Sequence, residues 1–144
     1  DNLTTIGLGS CIGIAMYDPV TKITGLAHIM LPDSTTMKNN SNIAKFADTG
    51  IPELYRQMLA LGANKSRMWA KIAGGAKMFG MVGDKASAIN VGERNAEASL
   101  AALRKLGIPC IAQDTGLNFG RTVEIHSETG AYLIKSVGKP NKTI

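Results

Sequence analysis

The chain of 144 residues has two cysteines, two histidines and one tryptophan, and only 5% of it is aromatic. Cys11 and Cys110 are too few for a disulfide scaffold. With only His28 and His126 beside them they do not make a metal site, so no metal centre is expected. No apolar run approaches the ~18 residues of a membrane-spanning helix, and no basic-then-apolar leader is visible. The expectation is a cytoplasmic protein without direct membrane insertion. Because the chain opens with Asp1, a short upstream segment is expected to be missing. The few aromatics do not interleave with basic residues, which argues against a nucleic-acid reader.

What is present is enough for a core. Hydrophobic residues are 44% and charged residues 19% of the chain, the balance of one globular domain over residues 1–144. The net charge is +5, densest across Lys38, Lys45, Arg56, Lys65, Arg67 and Lys71. That region reads as a solvated basic surface or as a docking face for an acidic protein partner. The loop after His28, with Lys38 and Lys45, is its expected steering element.

The pattern of apolar residues divides the chain. Residues 11–16 alternate, with Ile12, Ile14 and Met16 on one parity and Cys11, Gly13 and Ala15 on the other, the signature of a half-buried strand. Turn chemistry follows over Tyr17–Lys22, then a second strand from Ile23 to Met30 and a loop from Ser34 to Asn42. Ile51, Leu54, Tyr55, Met58, Leu59 and Leu61 recur at helical spacing, and Gly62 is placed to stop that helix. Pro52 predicts a start near Gly50, or a kink in a helix begun at Ala44. Met68–Ala73 predicts a strand ending in Gly74-Gly75. Asn90 and Glu93 suggest a capping box for a second helix running to Leu106, with Ala96, Leu100, Leu103 and Leu106 facing inward. Ile108–Ala112, Arg121–Ile125 and Ala131–Val137 read as short strands, the last two joined by a turn over Ser127–Gly130. This order predicts an α+β layered sandwich with mixed and antiparallel sheets.

The first hairpin carries the strongest chemical signal. If its turn centres between Pro19 and Val20, Met16 faces Ile23, Ile12 faces Ala27, and Cys11 lies directly opposite His28. Opposed side chains have Cβ atoms ~4.5–5.5 Å apart, so a thiol and an imidazole can meet. A one-residue slip would send them to opposite faces. A thiol beside an imidazole is a nucleophile arrangement, because thiolate is the species that attacks a carbonyl carbon. Gly7-Leu8-Gly9-Ser10 before Cys11 lets the backbone approach a substrate, and the N–H groups at Ser10 and Cys11 are candidate oxyanion donors. On the bland reading, Cys11 is a small buried hydrophobe and His28 is structural. Cys110 has no such neighbour and reads as core. Gly7-Leu8-Gly9 and Gly74-Gly75-Ala76-Lys77 lack full nucleotide-binding spacing and read as tight turns.

Several motifs resemble the CheD family of chemoreceptor glutamine deamidases. They are Thr5-Ile6-Gly7-Leu8-Gly9-Ser10-Cys11, His28-Ile29-Met30-Leu31-Pro32 and Ala47-Asp48. Further along come Ile72-Ala73-Gly74-Gly75-Ala76-Lys77-Met78-Phe79, Asn90-Val91-Gly92-Glu93-Arg94-Asn95, and Asp114-Thr115-Gly116-Leu117-Asn118 with Arg121. They run in family order over nearly the whole chain. Leu117 departs from the pattern, standing where the family usually has glycine. Pro52 is a second departure, within a helix that family members continue.

The resemblance implies a cysteine nucleophile at Cys11, a histidine base at His28, and a threonine at Thr5 that orients the histidine. It implies a sandwich similar to the catalytic domain of glutamine-deamidating toxins, with no metal or cofactor. Substrates would be glutamines, and in some members glutamyl methyl esters, on chemoreceptor cytoplasmic helices. A CheC-type phosphatase would be a binding partner. The alternative from another class is a catalytically silent module that regulates such a phosphatase.

Overall fold

A computed structural model describes residues 2–34, 42–77 and 85–144, with 85–90 described as backbone alone. The expected loop from Ser34 to Asn42 lies outside the described residues except at its two ends, and so does Lys38. Among the described residues two four-stranded sheets and two α-helices make the α+β sandwich. One sheet has the order β3-β2-β4-β5, formed by β3 (Ile23–Ile29), β2 (Ile12–Asp18), β4 (Trp69–Gly74) and β5 (Cys110–Thr115). It is antiparallel except for the β4–β5 pair. The other sheet, β1-β6-β7-β8, is antiparallel throughout and contains β1 (Asn2–Leu8), β6 (Arg121–His126), β7 (Tyr132–Lys135) and β8 (Lys142–Thr143).

Helices α1 (Ala47–Leu61) and α2 (Lys85–Leu106) cover one face of the first sheet. Their core joins Ile12, Ile14, Met16 and Ile29 to Ile51, Met58 and Leu103. The opposite face packs on the second sheet through Leu8, Ala15, Ala73, Val123, Ile125, Tyr132 and Ile134. Strand β2 is therefore buried along its whole length, not half-buried. Its alternation separates two cores, because its small residues face a second sheet that leaves no room for large ones. Gly13 shows the constraint: a Cβ there would stand 2.7 Å from the Tyr132 hydroxyl, which itself donates to the Gly13 carbonyl at 2.9 Å.

The first helix starts between the two positions that Pro52 suggested, and the second starts earlier than its cap signal. α1 begins at Ala47 and carries Pro52 inside it. Gly62 ends it in the left-handed conformation, its N–H donating to the Leu59 carbonyl. α2 already runs helically from Lys85, so Asn90 and Glu93 are interior residues and not a capping box. Its fully inward residues are Gly92, Asn95, Ser99 and Leu103, while Ala96, Leu100 and Leu106 are only partly buried. The inward stripe is thus more polar than predicted, and it reaches the functional end of the sheet through Asn95.

Candidate active site

The hairpin turn is wider than assumed. Asp18 pairs with Ile23 across the four residues Pro19–Lys22, and Lys22 takes φ +64 to close it. Met16 therefore faces Gly25, Ile12 faces Ile29, and His28 lies opposite Gly13 instead of Cys11. The slip is two residues, so parity survives. Cys11 stands in the bend just before β2, outside the ladder and two residues before Gly13, the partner of His28. It packs against the core between the two sheets.

Thr5 comes from the other sheet. Its Oγ1 lies 2.9 Å from His28 Nδ1, a contact that joins edge strand β1 to edge strand β3. Immediately after Thr5 the β1–β6 register breaks, with Gly7 at φ +71. Irregularities of this kind re-aim a strand beside a functional group. Among the described residues His28 Nε2 has no hydrogen-bond partner. Thr5 and His28 thus meet from two sheets, and Cys11 packs against the core between those sheets.

The segment bearing Cys11 is held from behind. Gly75 N–H donates to the Cys11 carbonyl and Ala76 N–H to that of Gly9, both at 2.9 Å. Gly74 has φ +110, and a Cβ on it would fall 2.1 Å from the Cys11 oxygen, so only glycine permits this close approach. Arg121, almost fully buried, donates through Nη1 to the carbonyls of Gly74 (3.4 Å) and Gly116 (3.1 Å), and through Nε to Asp114 (3.0 Å). Gly74-Gly75-Ala76-Lys77 is accordingly a cradle for the Cys11 bend.

Burial pushes the Cys11 thiol up and the His28 imidazole down from their ordinary values. Both shifts disfavour the charged form of the group.

The remaining sequence candidates lie elsewhere. Cys110 sits on β5, the edge strand opposite β3, packed against the helix-side core with its thiol raised chiefly by burial. His126 is at the far end of β6, with Nε2 2.7 Å from Glu124 Oε2. Much of the basic cluster is engaged structurally. Arg67 binds Asp18, Arg56 pairs with Glu53, and Lys71 is buried with Nζ on the carbonyls of Gly130 and Ile144.

Comparison with known proteins adds a family. A model described as CheD chemotactic sensory transduction matches residues 30–136. A protein of Lachnoclostridium phytofermentans, named "Probable chemoreceptor glutamine deamidase CheD", is 59% identical over 144 residues, which is 100% of this chain and 89% of the relative. Proteins with the same name from Caldanaerobacter subterraneus subsp. tengcongensis and Moorella thermoacetica are 54% and 49% identical over 142 residues, 99% of this chain and 87% and 85% of theirs. Cys11 and His28 precede the stretch matched by the family model but lie within the alignments to these relatives. With most of its length matched by the model and nearly all of it aligned to such relatives, the chain belongs to the CheD family.

Proposed function

We propose that this protein is a chemoreceptor glutamine deamidase acting through Cys11, His28 and Thr5, carried by residues 1–144 as one catalytic domain. The observation that carries the reading is the contact between Thr5 Oγ1 and His28 Nδ1 across the two sheets, on the side where Cys11 packs. With Nδ1–H donating to Thr5, Nε2 keeps its lone pair for the thiol proton. The sulfur then bonds to the side-chain amide carbon of a receptor glutamine, and the carbonyl oxygen takes the negative charge. The N–H groups of Ser10 and Cys11 receive that charge. His28 returns the proton to the departing nitrogen, ammonia leaves, and a thioester remains. Water, deprotonated by His28, hydrolyses the thioester to glutamate and restores the thiol. A glutamyl methyl ester fits the same sequence with methanol leaving. No step calls for a metal or organic cofactor.

Receptor cytoplasmic helices are the proposed substrate and a CheC-type phosphatase the proposed partner, in the cytoplasm. Among the described residues no helix is long and apolar enough to cross a membrane. The test is mass spectrometry of a purified chemoreceptor cytoplasmic fragment. Wild-type protein should convert specific glutamines to glutamate, and Cys11→Ala and Cys11→Ser should not, while both keep the native circular dichroism. Cys110→Ala should retain activity. Conversion by Cys11→Ala would overturn the nucleophile assignment, and tight receptor or phosphatase binding by wild type without any conversion would leave a regulatory binding module.

A further inference from the structure

Helix α2 turns an amide toward the functional end of the sheet. Asn95 is 0% exposed, and its Nδ2 lies 2.9 Å from the Ser10 carbonyl oxygen and 3.0 Å from that of Met30. Two acceptors fix the orientation of the amide, because an oxygen in that place would face two carbonyl oxygens. Asn95 Oδ1 has no partner among the described residues. A buried acceptor left unpaired is a standing cost, which an apolar residue would avoid. The side chain here supplies two donors on one atom.

The acceptors lie on the two segments that carry the chemistry. The β2–β3 ladder ends at the pair Ile12↔Ile29, so Ser10 and Met30 lie just beyond it, where strands are free to splay. Asn95 closes that gap. The Ser10 carbonyl belongs to the peptide whose N–H is that of Cys11, and Met30 is two residues past His28. The described backbone has no cis peptide bond, and in a trans peptide the N–H points opposite to the C=O. With the Ser10 carbonyl drawn toward α2, the Cys11 N–H is directed away from the helix, to the side where Cys11 packs between the sheets. A hydrogen bond to that carbonyl also polarises the peptide and strengthens its N–H as a donor.

We infer that Asn95 is a positioning residue for the deamidation. Its amide fixes the Ser10–Cys11 peptide plane so that the Cys11 N–H stands ready for the oxyanion, and it holds that peptide at a set offset from the strand of His28. The inference rests on the Cys11–His28 reading above.

The test compares Asn95→Ala and Asn95→Asp with Ser99→Ala, the next buried polar residue on the same helix face. Deamidation of a receptor cytoplasmic fragment is followed by mass spectrometry. Alkylation of Cys11 by iodoacetamide, which passes through no oxyanion, is measured beside it at alkaline pH. Asn95→Ala should lower kcat by about 10²-fold with KM changed less than about twofold. Its Cys11 alkylation rate should stay near wild type. Asn95→Asp, whose ionised carboxylate is acceptor-only and faces two carbonyl oxygens, should lose at least as much kcat as Asn95→Ala, and Ser99→Ala should behave as wild type. Unchanged kcat in Asn95→Ala, or deamidation and alkylation falling in proportion, overturns the role. If Asn95→Ala does not fold, Asn95→Asp is judged by the same two rates. Activity surviving in Cys11→Ala would instead overturn the reading on which the inference stands.

Discussion

The two ends of strand β2 are built on opposite plans. At one end Asp18 is 0% exposed, yet its carboxylate accepts from the N–H groups of Val20, Thr21 and Asn64 and from both Nε and Nη2 of Arg67. The Arg67 guanidinium, aided by those N–H groups, holds the carboxyl well below the usual carboxylate range. At the other end Cys11 and His28 are half-buried and driven toward neutrality, and the imidazole has a partner at Nδ1 only among the described residues. The Asp18 end is saturated, with its charge permanent and its geometry closed. On the proposed mechanism, the Cys11 end leaves one nitrogen and one thiol to exchange a proton. Saturation suits a structural anchor, and an open valence beside a fixed one suits the reaction proposed above.

Substitutions can break this contrast from either side. His28→Ala should lower the deamidation rate by about 10²–10⁴-fold, the span of a positioned proton acceptor, with little change in thermal stability. Because burial lowers the His28 pKa, its basic form persists below the ordinary value of about 6.5, and the acid limb of kcat/KM should lie below that pH. An acid limb at or above it would contradict that lowering. Asp18→Ala should do the reverse, costing about 3 kcal/mol of stability in urea denaturation while leaving kcat intact at low temperature. The sign with pH follows from a folded-state pKa below the unfolded one. The contribution of Asp18 is complete above about pH 4 and is lost as the pH falls further. Acid unfolding curves of wild type and Asp18→Ala should therefore converge as the pH falls.

Smaller effects sharpen the same contrast. Thr5→Ala removes the fixed partner of His28 and should cost about 3- to 10-fold in rate. Thr5→Ser should restore most of that loss. The smallest effect is expected at Leu117, which is 64% exposed and held at φ +60 beside Gly116. Glycine relieves the left-handed strain at some cost in unfolded-chain entropy, so Leu117→Gly should raise stability by about 0.5 kcal/mol and leave the rate unchanged.

The sequence made strand parity more legible than register. Alternation in residues 11–16 and 23–29 kept the Cys11 parity and His28 on one side of the hairpin, because parity survives a two-residue slip. Their directly opposed pairing was wrong because Lys22 adopts a left-handed conformation and widens the turn, which nothing in Asp-Pro-Val-Thr-Lys announces. Strand β1 did not emerge from periodicity, since most of its residues are exposed at a sheet edge, and Thr5 was found through family resemblance alone. Lys71, Arg67 and Arg56 looked like surface charge. Their structural roles depend on partners distant in sequence for Lys71 and Arg67, and on a same-face glutamate three residues earlier for Arg56. The inward role of Asn95 was hidden because helix α2 begins before its apparent cap. A polar residue in register with Gly92, Ser99 and Leu103 was the available clue.

The bond between Thr5 and His28 has a consequence for the newborn chain. Its two halves belong to strands from separate sheets, and one of those sheets cannot be completed until β6 and β7 have been synthesised. On the proposed mechanism, a chain that has formed its helices and its first hairpin still lacks an oriented base, so its thiol has no assistance in attacking an amide. Competence arrives with the docking of one sheet on the other. During refolding, turnover should therefore return together with protection of the Tyr132 hydroxyl contact and after the far-ultraviolet signal of the helices, making activity a clock for the last packing event.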